Sequence, residues 1–196
     1  MNVVIVDTEC ANLTSVRFAV ERLGYSVLIT DDAEQIRAAD RVILPGVGTA
    51  SAAMRNLQRK QLVEPLRELT QPVLGICLGM QLLTSHSEEG DVDCLNLIPA
   101  KTKRLRDSGL PLPHMGWNTL QPTADNPLVQ GNDSYCYFVH SFAVAVDEYT
   151  IASSEYGERF ASMICHNNYF GAQFHPERSG KTGEALLKRF LELTLC

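Results

Sequence analysis

Residues 72–83 read Pro-Val-Leu-Gly-Ile-Cys-Leu-Gly-Met-Gln-Leu-Leu, and they carry the strongest indication of the fold. The apolar run 73–76 predicts a buried strand, and the apolar spacing after Cys77 predicts that a helix follows at once. Gly75 and Gly79 allow the strand and the helix to approach closely at a tight turn. This pattern is typical of a nucleophile elbow, which exposes its central side chain at the carboxyl end of a strand.

Apolar runs and helical patterns alternate along the first half of the chain. The predicted strands cover residues 3–6, 26–29, 42–44 and 73–76. Three helices are predicted in this half. The first begins after its N-cap Asn12 and ends at Gly24, the second ends near Lys60, and the third covers residues 62–69. Because strands alternate with helices, we expect crossover connections and a largely parallel central sheet flanked by helices.

The second half changes character, because short β-like runs replace helical periodicity between about 100 and 174. Runs such as 135–139 and 160–164 are separated by turn residues, and they predict an antiparallel extension that packs on or continues the sheet. Apolar residues around Phe190 predict a C-terminal helix. The chain has 196 residues and no internal repeat or linker, so we expect one α/β domain over residues 1–196.

Composition excludes several classes of protein. A formal net charge of −6 argues against a nucleic-acid binder, and the basic run 101–106 is interpreted as a solvated strand or turn. No apolar stretch approaches a membrane span, and the run 3–6 meets Asp7 too soon for a signal peptide, so a cytoplasmic protein is expected. The six cysteines have neither the spacing of a disulfide scaffold nor that of a zinc site.

A second motif, Phe-His-Pro-Glu at residues 174–177, supplies the partners that a cysteine nucleophile needs. Cys77 would lie at a helix N-terminus, which favours the thiolate, and His175 is the candidate proton donor for a departing nitrogen. Pro176 favours extended backbone at His175, in which residues i and i+2 share one side, so Glu177 is predicted to accept a ring N–H. Either motif alone is compatible with a structural role, but together they favour a nucleophile–base–orienter triad.

Acyl transfer also requires donors for the oxyanion that forms during attack. The N–H of Leu78 directly follows the proposed nucleophile and is one candidate. Residues 45–48, Pro-Gly-Val-Gly, follow another strand, and a flexible peptide there is the second candidate. Without Cys77, the same four residues would be interpreted as a simple tight turn.

Residues 75–81 and 175–177 resemble the triad-type, class I glutamine amidotransferases, over nearly the whole chain. Residues 44–48, 113–118 and 137–141 narrow the resemblance to one ammonia-supplying subunit within that family. From the residues alone, 113–118 is interpreted as a turn with an aromatic anchor. The resemblance implies hydrolysis of glutamine to glutamate and ammonia, no metal or organic cofactor, and a heterodimer with a TIM-barrel cyclase.

The resemblance also implies a role for each matching residue. The catalytic residues would be Cys77, His175 and Glu177, with oxyanion donors at Val47 and Leu78. The residues around bound glutamine would be Gly48, Gln81, Ser141 and Phe142, the last two mainly through backbone groups. The residues towards the partner would be Trp117, Tyr137 and Arg178.

One loop departs from the family pattern. Where relatives have Gly-x-Gly-Asn after the first strand, residues 9–12 read Glu-Cys-Ala-Asn, so a positive φ in this loop would strain Glu9 or Ala11. Cys10 is interpreted as structural.

Other functions remain open. The chain is alternatively an amidotransferase subunit for anthranilate or vitamin B6 synthesis, or a cysteine hydrolase or peptidase. A flavodoxin-like binding module, suggested by Asp7, would leave the triad unexplained.

Overall fold

A mixed sheet with parallel central strands organises the chain, and the computed structural model describes the chain over residues 1–9, 13–129 and 134–194. The predicted Asn12 cap and the predicted structural role of Cys10 lie outside the described residues. Among the described helices, none combines the length and the apolar character needed to cross a membrane.

The strands and helices of the described residues have the following bounds. The strands are β1 Val3–Val6, β2 Val27–Thr30, β3 Arg41–Gly46, β4 Val73–Cys77, β5 His86–Ser87, β6 Val92–Asp93, β7 Lys101–Arg104, β8 His114–Pro122, β9 Ser134–His140, β10 Phe142–Ala145, β11 Thr150–Glu155, β12 Arg159–His166 and β13 Tyr169–Ala172. The helices are α1 Leu13–Arg22, α2 Ala33–Arg37, α3 Ala50–Arg59, α4 Val63–Arg67, α5 Leu78–Leu83 and α6 Gly180–Glu192, with a 3-10 turn at Pro176–Arg178.

The sheet has a parallel half and a largely antiparallel half that are continuous. Strands β2, β1, β3, β4 and β13 are all parallel to their neighbours within this set. From β13 the sheet continues through β12, β10, β7, β5 and β6, while β11, β8 and β9 extend from β12 as antiparallel neighbours. The predicted α/β fold is therefore confirmed, and the extension continues the sheet rather than packing on it.

Both faces of the inner parallel strands β1, β3, β4 and β13 are buried, as the continuous apolar runs predict, whereas the edge strand β2 is partly exposed. Along β1, Val3 and Ile5 enter one core cluster with Leu187 of α6, whereas Val4 enters a second cluster with Leu57 of α3. This alternation follows from the two-residue period of a strand. The helices thus cover both faces and leave the strand ends free to carry loops.

Several local predictions are corrected by the structure. The sequence predicts a turn at 113–118, but residues from His114 onward form β8, which pairs with β9 in a hairpin. The helix predicted over 62–69 is only Val63–Arg67, and helix α2 has no counterpart among the predicted helices. The basic run near residue 101 is a strand with exposed positions, as expected.

Candidate active site

Three adjacent parallel strands bring the proposed catalytic segments together. Strand β4 lies between β3 and β13, and the carboxyl ends of all three meet at one edge of the sheet. Cys77 ends β4, residues 45–48 lie at the end of β3, and His175 follows β13. The topology therefore explains how residues far apart in sequence become neighbours.

The elbow predicted around Cys77 is confirmed. Cys77 has φ +54°, a left-handed conformation that is rare for a residue with a side chain, and α5 begins at the next residue. A Cβ on Gly75 would lie 2.6 Å from the Gly79 carbonyl oxygen, and a Cβ on Gly79 would lie 1.7 Å from the Leu44 carbonyl oxygen. The two glycines thus permit the close packing that holds Cys77 in its strained turn.

A buried imidazole–carboxylate pair lies beside the elbow. His175 Nδ1 is 2.9 Å from Glu177 Oε1, and the Glu177 side chain is only 2% exposed. Burial lowers the pKa of His175, but its hydrogen bonds with Cys77 and Glu177 outweigh burial and raise that pKa to about 10. An imidazolium facing the cysteine is therefore the favoured state at neutral pH.

The backbone of this motif differs from the prediction in one respect. His175 is extended, with φ −100° and ψ 95°, as its position before Pro176 predicts. Glu177, however, lies in a 3-10 turn that closes when the Arg178 N–H donates to the His175 carbonyl at 3.0 Å. The carboxylate therefore reaches the imidazole from a tight turn and not by alternation along a strand.

A cavity of about 380 Å³ opens onto Cys77 and His175, which is a size typical of small-molecule sites. Its lining contains the predicted oxyanion and glutamine residues Val47, Gly48, Leu78, Gln81, Ser141 and Phe142. Arg178 also lines it, whereas Glu177 is not among the lining residues and contacts His175. Among the described residues, no group of three or more His, Cys, Asp or Glu side chains could hold a metal ion.

Comparison with known proteins identifies the family of the chain. The sequence model for glutamine amidotransferase class-I matches residues 4–193. The chain belongs to this family. The imidazole glycerol phosphate synthase subunit HisH of Idiomarina loihiensis is 97% identical over 196 residues, covering 100% of both chains. The subunit of the same name from Haemophilus influenzae is 58% identical over 194 residues, covering 98% of each.

Solved structures support the fold of this amidotransferase independently of close sequence similarity. A glutamine amidotransferase from Thermotoga maritima superimposes with a TM-score of 0.65 at 19% identity, covering 98% of this chain and 81% of that one. Another solved glutamine amidotransferase superimposes with a TM-score of 0.75 at 17% identity, covering 96% of this chain and 97% of that one. At these identities the likeness shows the fold alone.

Two polar side chains of the amidotransferase site, Gln173 and Glu89, were not predicted from sequence. Gln173 is buried, its Nε2 lies 3.9 Å from Cys77 Sγ, and its Oε1 accepts from Gln81 Nε2 at 3.0 Å. The Gln81 amide also donates to the Phe142 carbonyl at 2.9 Å, so it holds neighbouring protein groups. Glu89 lines the cavity, and its Oε2 accepts a backbone N–H at 3.0 Å. The sequence signal that could have identified Gln173 as a site residue was its position two residues before His175.

A pair of buried histidines supports the cavity wall. His114 Nδ1 lies 3.0 Å from His140 Nε2, and His140 Nδ1 lies 2.9 Å from the Phe142 carbonyl oxygen. Burial lowers the pKa of His114 to about 4 and that of His140 to about 3, so both rings are neutral at pH 7. Neutral rings can donate and accept along one line, which fixes the backbone at Phe142.

An exposed aromatic face lies next to the amidotransferase site. Trp117 and Tyr137 are paired across the β8–β9 hairpin, with ring centroids 6.0 Å apart in an edge-to-face arrangement. The Arg178 guanidinium carbon lies 5.2 Å from the Tyr137 ring centroid. Met115 and Trp117 are 62% and 56% exposed. The three residues predicted to face a partner are thus brought together on one surface, which we call the hairpin face.

The loop that departs from the family pattern is held by charge. Glu9 has φ +58°, so the expected positive φ occurs at a residue with a side chain. Lys60 Nζ lies 3.4 Å from Glu9 Oε1 and 3.0 Å from Asp31 Oδ2, and it donates to the Asp7 carbonyl at 2.8 Å. Arg59 adds a 2.6 Å ion pair with Glu9. Ala11 lies outside the described residues.

Proposed function

We propose that the chain hydrolyses glutamine to glutamate and ammonia and supplies the ammonia to the cyclase subunit of imidazole glycerol phosphate synthase in histidine biosynthesis. The observation that carries the proposal is that an elbow cysteine and His175 line one cavity, while the buried Glu177 side chain contacts His175 from behind it. The cyclase, a TIM barrel by resemblance, would use the ammonia to form imidazole glycerol phosphate and an aminoimidazole carboxamide ribotide.

In the proposed reaction, the Cys77 thiolate attacks the side-chain carboxamide carbon of glutamine. The His175 imidazolium then donates its proton to the nitrogen as the C–N bond breaks, which releases ammonia and leaves a γ-glutamyl thioester. Water attacks this thioester while neutral His175 accepts a proton, and glutamate departs as the thiolate reforms. Glu177 holds the ring and stabilises its charge throughout.

The backbone N–H groups of Leu78 and Val47 are the proposed oxyanion donors. Both residues line the cavity at the ends of adjacent strands, next to Cys77. A preorganised donor of this kind is typically worth a factor of about 10²–10³ in rate. Their position relative to Cys77 therefore matters more for catalysis than for binding.

Glutamine would bind along the cavity between Gly48 and the 141–142 segment. Backbone groups of Ser141 and Phe142 would receive its α-carboxylate, while Gln81 acts by holding the Phe142 carbonyl. Glu89 is the lining carboxylate, and we assign it to the α-ammonium group because a buried cation requires an opposite charge.

The hairpin face is the proposed docking surface for the cyclase. Its large exposed side chains, Met115, Trp117 and Tyr135, are the kind that protein interfaces bury, and Arg178 belongs to the same surface. The curated relatives are named as subunits, which implies a partner. Identity of 97% to one of them favours this pathway over anthranilate or vitamin B6 synthesis.

The test compares glutamate release by purified wild-type chain and by Cys77→Ala, each alone and with the cyclase. Cys77→Ala should lose glutamine hydrolysis by several orders of magnitude, as triad knockouts do, while its complex still uses added ammonium salts. Cys165→Ala is the matched control, because Cys165 lies on β12 and is not among the residues that line the cavity. Substantial hydrolysis by Cys77→Ala, or a similar loss in Cys165→Ala, contradicts the proposal.

A further inference from the structure

The hydroxyl of Ser179 joins the hairpin face to the catalytic turn. Ser179 Oγ accepts the Tyr137 N–H at 2.9 Å and donates to the His175 carbonyl at 2.7 Å. The His175 N–H in turn donates to the Tyr137 carbonyl at 2.9 Å. Ser179 is only 2% exposed. The backbones of Tyr137 and His175 are thus linked twice, once directly and once through this hydroxyl.

The position of Ser179 makes this contact unusual. Ser179 precedes α6 as its N-cap residue, where a serine side chain normally accepts a backbone N–H from the first turn of the helix. Here its side chain makes no capping hydrogen bond and bridges β9 to His175. The helix start is also pressed against the turn, since a Cβ on Gly183 would lie 1.9 Å from the Pro176 carbonyl oxygen.

Both segments that the hydroxyl joins also carry a side chain of the hairpin face. Tyr137 belongs to β9, and Arg178 belongs to the 3-10 turn that holds Glu177. The two side chains contact each other on the outside, at 5.2 Å, while Ser179 connects their segments on the inside. A displacement of the Tyr137 or Arg178 segment can therefore be passed to the His175 backbone through a single residue, Ser179.

We propose that Ser179 is a positioning residue that transmits partner docking on the hairpin face to His175. The inference rests on the proposed function, in which His175 is the acid and base and a cyclase docks beside it. Docking that adjusts β9 relative to the turn moves the His175 carbonyl through the Ser179 hydroxyl and aligns the imidazole with Cys77. Without the hydroxyl, the single bond from the His175 N–H to the Tyr137 carbonyl remains and the coupling weakens.

The experiment measures kcat and KM for glutamine hydrolysis by the isolated chain and by its cyclase complex with cyclase ligand bound. The ratio of the two kcat values is the activation. We expect Ser179→Ala to reduce activation by about tenfold or more with KM within about twofold, because a small misplacement of a catalytic group costs rate more than binding. Ser179→Thr keeps the hydroxyl, so its activation should stay within about threefold of wild type. This is a smaller loss than the one expected for Ser179→Ala, in which His175 is misplaced.

Ser85→Ala is the matched control. The Ser85 hydroxyl also donates to a backbone carbonyl at 2.7 Å, that of Ala100, but Ser85 does not line the active-site cavity. Unchanged activation in Ser179→Ala, an equal loss in Ser85→Ala, or a threonine variant as impaired as alanine overturns the inference. Failure of the proposed function is distinct, since wild type would then release no glutamate or Cys77→Ala would remain active.

Discussion

Substitution of Glu177 by glutamine separates the effect of the charge of the proposed orienting residue from that of its shape. The side chain is almost fully buried, and Oε1 accepts the His175 Nδ1–H at 2.9 Å. A glutamine oxygen at the same place can accept that N–H, so the ring orientation is retained while the negative charge is lost. Glu177→Gln therefore tests how much the charge stabilises the imidazolium.

The magnitude follows from the distance. Two opposite charges about 4 Å apart attract by about 4 kcal/mol at an effective dielectric constant of about 20, and a neighbouring opposite charge typically shifts a pKa by about 1–3 units. Part of this is offset, because Glu177 Oε2 is buried without a hydrogen-bond partner among the described residues, so the charge carries a desolvation cost. We expect the His175 pKa to fall by about 1–2 units and kcat to fall by about 10–10²-fold.

The assay is the pH profile of kcat/KM for glutamine hydrolysis by the complex. Because the pKa of His175 is raised to about 10, the imidazolium is present at neutral pH and is lost as the pH rises through that value. In Glu177→Gln the basic limb should move to lower pH by about 1–2 units. His175→Ala, which removes proton transfer itself, should cost more than Glu177→Gln. An unmoved basic limb, or an equal loss in both variants, would refute the assignment of roles.

Two further predictions concern the cysteines and the histidine pair. A limiting amount of a thiol-directed glutamine analogue should label Cys77 before Cys94 or Cys136, because burial raises the pKa of the Cys94 and Cys136 thiols to about 12. Peptide mapping that finds Cys94 or Cys136 labelled first would contradict this prediction. Burial lowers the pKa of His114 from about 6.5 to about 4 and that of His140 from about 6.5 to about 3. The neutral histidines therefore contribute their full stability to the fold above about pH 6.5, and this contribution is lost as the pH falls towards the lowered values. In urea unfolding, the free energy of unfolding should fall by about 2 kcal/mol per histidine between pH 7 and pH 5. His114→Phe should reduce this pH dependence by about one proton, and an unchanged slope would disprove the assignment.

The elbow and the contact between His175 and Glu177 could be predicted because their signals are local. Gly75, Cys77 and Gly79 are close in sequence, and the close approach that the glycines allow is the one observed. The continuous apolar runs likewise predicted strands buried on both faces, such as β4. In each case a short segment carries its own physical reason for the conformation.

Other features depend on partners distant in sequence and were not predictable. Residues from His114 form a strand because β9 pairs with them, and nothing within 113–118 indicates that partner. The 3-10 turn at Pro176–Arg178 replaces the predicted extension, since Pro176 restricts His175 but is itself favourable at the start of a turn. The amide of Gln173 and the neutral His114–His140 pair acquire their roles only through tertiary contacts.

The relation between the hairpin face and the catalytic turn is the clearest case of such dependence. The family resemblance implies a partner role for Tyr137 and a catalytic role for His175 as separate properties. In the folded chain these residues exchange backbone hydrogen bonds, directly and through Ser179. Ammonia released without an acceptor wastes glutamine, so a glutaminase would gain from having its proposed acid–base residue held by the strand proposed to dock the acceptor. Side chains can carry each role separately, but in the proposal for Ser179 the shared backbone of Tyr137 and His175 makes catalysis respond to docking.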